Sequence, residues 1–186
     1  MAGELQNRLF SGAPILETGA LAHQAIGDAG KEKLDRELEK VGSFIYPFMQ
    51  AGEFDTATHE MCIDLGVGTG VLIPMRGTPE QPIIFYAPPA DEIAVKGDAW
   101  GRQSLISWKR MAAREEIRDA FPQGNFSKNF IEASKSRPND ELTLYQDFFR
   151  LPDGRWQFAA YLDKDCEDFI SQETYRTKPI AVAPYY

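Results

Sequence analysis

The stretch of this sequence best suited to chemistry is Cys62-Ile63-Asp64-Leu65-Gly66-Val67-Gly68-Thr69-Gly70. Alternating glycines remove the side chains that hold a backbone away from a ligand, so amide N–H groups can approach a phosphate or carboxylate, and an acidic residue beside them can hold a polar group of the same ligand. Such a loop cradles a cofactor when it leaves a buried strand and opens a helix, whose N-terminus adds its own attraction for anions. The flanking residues read the other way round. Helical spacing precedes the run, and Val71-Leu72-Ile73-Pro74 after it reads extended, with Pro74, Gly77, Pro79 and Pro82 excluding a long helix. In that setting the run predicts a helix-to-strand joint: Gly66 closes the helix in the left-handed conformation, and Gly68 and Gly70 allow close backbone packing where the strand starts.

Asp64, Gly66, Gly68 and Gly70 also resemble the first motif of the Rossmann-like methyltransferases that bind S-adenosylmethionine. That resemblance implies an alternative function, a methyltransferase-like enzyme using the Asp64–Gly70 loop. It covers this loop only. The acid that would hold a ribose, about twenty residues on, falls at Asp91 or Glu92, after a Pro88-Pro89 corner in place of a strand end.

Other candidates carry less. His59, Glu60 and Asp64 put an imidazole and two carboxylates on one helix without further metal ligands, which reads as a solvated or interfacial face. Asp163, Asp165, Glu167 and Asp168 lack the central glycine and closing spacing of a calcium loop and read as an exposed connection. Cys62 reads as buried in its helix, and Cys166 has no histidine partner. Trp100, Trp108 and Trp156 read as cross-strand packing. No catalytic, cofactor-binding or metal residue is assigned, and no cofactor is expected.

The elements that must position these residues can be read from periodicity. Residues 1–30 mix glycine, proline and small side chains. They read as a flexible or partner-ordered segment in which Ala20–Ile26 can form a short helix interrupted by Gly12, Gly19, Gly27 and Gly30. In Lys31–Gln50 the residues Leu34, Leu38, Val41, Ile45, Phe48 and Met49 recur three and four apart, widened by Phe44, which predicts an amphipathic helix whose last turn is kinked or cut short by Pro47. A second helix is expected from about Asp55 to Leu65, with Phe54, Ala57, Met61 and Leu65 inward, so that the two form an αα-hairpin. Strands are expected at Val71–Ile73, Ile83–Ala87, Glu92–Val95 and Ser104–Lys109, the last two pairing around Lys96–Arg102. Helices are expected at Ala112–Phe121 and Ser127–Ser134.

From Glu141 the chain reads as a β-meander. Leu142, Leu144, Gln146 and Phe148 share one face, Tyr145, Asp147 and Phe149 the other, Pro152-Asp153-Gly154 turns, and Trp156–Leu162 returns. Asp168–Tyr175 is a further strand, and the apolar run Pro179–Tyr186 either continues a larger fold or docks as a terminal strand. The fold class is α+β: an N-terminal helical hairpin followed by a mostly antiparallel sheet with an intervening helix, residues 31–186 forming a single domain within a longer fold.

Bulk properties narrow the function. The chain has 186 residues, 43% of them hydrophobic, enough for a sizeable core. With 20 lysines and arginines against 28 acids the formal charge is -8, unsuited to coating duplex DNA, because non-specific binding depends on basic clusters that release counterions. Two cysteines far apart argue for a reducing compartment. No apolar run is long enough for a membrane span and no leader pattern opens the chain, so it is expected in the cytosol where it is made.

A longer resemblance runs through the chain. Leu34–Gln50 followed by Phe54–Leu72, then Ile84–Glu92, Ser107–Arg114 with Phe121-Pro122, Pro152–Trp156 and Glu173–Pro179 succeed one another in an order similar to the bacteriophage head-to-tail connector, or portal, proteins of short-tailed phages and prophages. The resemblance implies a structural subunit of the portal, in its wing-like region, without catalysis. Portals of this type are homo-oligomeric rings of about twelve copies at one capsid vertex. DNA is packaged and ejected through them without sequence-specific binding, and their partners are the capsid protein, the tail adaptor and the terminase. The implied location is the virion capsid vertex, with the host cytoplasm before assembly.

Overall fold

A computed structural model of the protein describes residues 2–9, 20–163 and 169–183. The architecture is α+β, N-terminal helices followed by mixed helix and sheet, and the chain forms two compact units: residues 1–87 with 182–186, and residues 88–181.

The first unit opens with α1 (Ala2–Leu9) and α2 (Ala20–Ala51). Gly27, at φ 68° and ψ 174°, interrupts α2 as its residue type suggests, whereas Gly30 continues the helix; Gly12 and Gly19 lie outside the described residues. Pro47 does not shorten α2, which runs on to Ala51. The carbonyl that loses its partner to the proline is that of Ser43, and both residues are exposed, so water can take the lost bond. Gly52 and Glu53 then join α2 to α3 (Phe54–Leu65), with Glu53 in the left-handed region at φ 60°.

The joint is held against the next element. A Cβ on Gly52 would lie 2.2 Å from the Ile83 carbonyl oxygen, so only glycine fits. Phe85 N–H donates to the Gly52 carbonyl at 2.9 Å, and the Gln81 side-chain amide donates to the Ala51 carbonyl.

β1 (Gly70–Arg76) and β2 (Ile83–Tyr86) are antiparallel, with Ile73 opposite Tyr86 and Arg76 opposite Ile83, and β8 (Ala181–Ala183) flanks β1 on its other side. The strand passes through Pro74 and is longer than Val71–Ile73. The apolar C-terminal run thus takes its terminal-strand form over Ala181–Ala183. Val71, Leu72 and Ile73 are at most 8% exposed, and Leu72 packs with Ala57, Met61, Cys62 and Ala87. Phe54 and Phe85 close this core edge to face at 4.9 Å.

The second unit is a five-stranded antiparallel meander in the order β3 (Ile93–Gly97), β4 (Gln103–Ala113), β5 (Glu141–Arg150), β6 (Trp156–Leu162), β7 (Ser171–Tyr175). Two sheets therefore stand where one was expected. The Pro88-Pro89 corner and a 3-10 turn at Ala90–Glu92 end the first pairing and start the second. Leu144, Gln146 and Phe148 point inward as the alternation predicts. Ala112 and Ala113 belong to β4 and not to the helix after it, because Ala112, opposite Leu142, is needed in the core at 2% exposure.

Helices α4 (Arg114–Ala120) and α5 (Lys128–Ser136) come next, and α5 is capped by the Ser127 hydroxyl, which accepts from Phe130 N–H at 3.1 Å. Ile117 from α4 and Phe130 from α5 reach zero exposure in one cluster with Leu144, Ala160 and Leu162. Each such burial is worth about 1.5–3 kcal/mol. Asp168, like Asp165, Cys166 and Glu167, lies outside the described residues, and the last meander strand begins at Ser171.

Candidate functional site

At the glycine run, α3 ends at Leu65 and Gly66 stays right-handed, at φ -69° and ψ -19°, correcting the left-handed closure expected of it. The turn continues the helix for three residues. Gly66 N–H donates to the Ile63 carbonyl at 3.1 Å, and both Val67 and Gly68 N–H donate to the Asp64 carbonyl, at 3.0 and 2.7 Å. Right-handed dihedrals satisfy these terminal carbonyls, so a left-handed residue is not required. Gly70 is the position where closeness matters. A Cβ there would lie 2.9 Å from the Met61 carbonyl oxygen and 3.2 Å from Leu65 Cβ.

This arrangement does not fit the context that the S-adenosylmethionine reading needs. A cofactor loop needs free amides at a helix N-terminus; here the Gly66, Val67 and Gly68 amides are spent on helix carbonyls, and the loop sits at a C-terminus, the negative end of the helix dipole, which repels anions. The element after the loop is an extended, buried strand in an antiparallel pair, where a cofactor loop would open a helix. Glu92, a candidate ribose acid, accepts from Trp108 Nε1 at 2.9 Å.

His59 is exposed, with Nδ1 3.1 Å from Gln6 Oε1, and Gln6 Nε2 also donates to Thr58 Oγ1 at 3.0 Å and to the Asp55 carbonyl at 2.6 Å. One glutamine of α1 thereby clasps α3, a contact with no signal in local sequence. Among the described residues no three His, Cys, Asp or Glu side chains gather as a metal site. Cys62 is buried at 2% exposure, and that burial pushes its thiol pKa up, away from a reactive thiolate. Trp108 and Trp156 are buried as packing residues, whereas Trp100 is 82% exposed in the β3–β4 turn.

The face of the meander opposite α4 and α5 carries a polar and aromatic cluster. Ser107 Oγ and Tyr161 OH both donate to Asp147, at 2.5 and 2.9 Å. Tyr145 and Tyr161 stack at 5.2 Å, with Lys109 Nζ 5.8 Å from the Tyr145 ring. Burial, then the hydrogen bond and charge of Asp147, push the Tyr161 phenol up to about 12. Strand register could have found the tyrosine pair, since Tyr145 stands directly opposite Tyr161.

More unusual is the apolar surface that the helices leave uncovered. On α2, Leu34 and Val41 are 41% and 46% exposed and Phe44 71%. At the end of α3, Ile63 and Val67 are 52% and 85% exposed. These are apolar surfaces offered outward, as in proteins that build larger assemblies. A protein-family model described as bacteriophage head to tail connecting protein matches residues 18–186, and the chain belongs to that family. Among curated proteins no match is found. The family is structural, not enzymatic, and its members serve as phage connectors. No helix among the described residues is long and apolar enough to cross a membrane.

Proposed function

We propose that the chain is a structural subunit of a portal ring that joins a phage capsid to its tail and lets DNA pass without chemistry. The observation carrying this reading is the family match across residues 18–186, to which the uncovered apolar stripe on α2 adds a surface for neighbours. In this reading capsid protein, tail adaptor and terminase are its partners, and the ring sits at a capsid vertex after assembly in the host cytoplasm. The chain from 31 to 186 serves as one α+β module of a larger fold, and residues 1–30 serve as a flexible or partner-ordered segment.

DNA that must slide needs a wall that does not grip it, and the formal charge of -8 suits that role. Electron microscopy of the purified full chain tests the assembly. Ring-shaped particles of about twelve copies are expected, and a strict monomer at every concentration would sink the proposal.

A further inference from the structure

Two separate apolar patches lie on the first unit, and their flanks differ in charge. The α2 stripe of Leu34, Val41 and Phe44 is extended by Phe48, whose ring meets Phe44 edge to face at 5.4 Å. At 100° per residue Lys33 and Lys40 fall along one margin of this stripe, while Glu37 lies within it and accepts from Lys40 Nζ at 2.8 Å across the exposed surface, so the three together carry a net single positive charge. The second patch, Ile63 and Val67, stands beside Glu60 and Asp64 on the α3 wheel, and that margin is negative.

Pairing either patch with itself brings like margins together; pairing one with the other brings opposite margins together and covers both. A contact between two different patches on identical chains is head-to-tail, the kind that propagates and can close into a ring. We propose that the α2 stripe of one copy seats on the α3 end and glycine joint of the next copy, with Lys33 and Lys40 facing Glu60. This rests on the ring reading above and specifies its contact. The flexibility of glycine is not what the joint contributes here: its turn carries Val67 outward, so the run becomes part of a docking surface.

Sedimentation velocity of the full chain tests this. Phe44→Asp and Val67→Asp should each stay monomeric alone, with unchanged circular dichroism because both positions are exposed. Mixed in equal amounts they should stop at dimers, since each variant retains one intact patch. Phe44→Ser and Val67→Ser, which add no charge, should weaken assembly in the same pattern. Lys33→Glu with Lys40→Glu should raise the concentration for half-assembly about tenfold, and adding Glu60→Lys to that chain should recover it.

Assembly of Val67→Asp like the wild type, or a mixture of the two aspartate variants that stays monomeric, would overturn this contact while leaving the ring reading standing. A wild-type chain that never self-associates overturns both.

Discussion

A methyl group at Gly70 would be pressed between the Met61 carbonyl, 2.9 Å away, and Leu65 Cβ, 3.2 Å away. Backbone and a packed helix cannot retreat as a flexible side chain would, so Gly70→Ala should cost about 1–3 kcal/mol in urea unfolding. Gly66→Ala, in right-handed dihedrals with its nearest contact at 3.2 Å, should cost less. Equal losses would show that close approach is not what Gly70 provides.

On the open face of the meander, Tyr161 has its phenol raised above the ordinary tyrosine value to about 12 by burial and by Asp147. A group whose folded pKa is raised contributes stability that is complete below about pH 10 and is lost as pH climbs towards 12. Ultraviolet titration should therefore show Tyr161→Phe removing a late step, and Asp147→Asn moving that step to lower pH. An ionisation of Tyr161 at the ordinary tyrosine value would contradict the hydrogen bond to Asp147.

Among the elements, α2 holds the clearest internal conflict. Pro47 occupies a helix interior where an alanine would restore an N–H to the ladder. Pro47→Ala should stabilise the chain by about 1–2 kcal/mol, the interior penalty of proline less the unfolded-state entropy it removes. No gain in thermal unfolding would mean that the last turn of α2 owes its stability to the contacts of Gly52 and Gln81 with its end.

Sequence made much of this scale legible. Alternation in β5 identified its inward face, the Pro152-Gly154 turn fixed the β5–β6 hairpin, and flanking periods assigned the glycine run to a joint. The features it missed have physical causes. Ala112 and Ala113 suit helix and strand equally, and pairing with β5 decided for strand. Periodicity showed that Leu34, Val41 and Phe44 share a face, but nothing local to α2 says whether another element will cover it.

For the whole molecule, charge and assembly act together. A chain with eight more acids than bases should show no saturable binding to duplex DNA at physiological salt. Retention in a gel-shift assay that falls steeply with salt would reveal a basic surface inconsistent with a passive conduit.

The path of the chain between its two units also sets an order in time. It leaves the first unit after Ala87 and comes back only at Val182, within β8, which lies along β1. On the ribosome every residue of the meander is made before that last strand exists. The inserted unit can therefore finish folding while the unit that contains it still waits, with the apolar β1 open along one side. Strand β8 completes a sheet begun with β1, and until it emerges β1 stands open to pairing with another nascent chain.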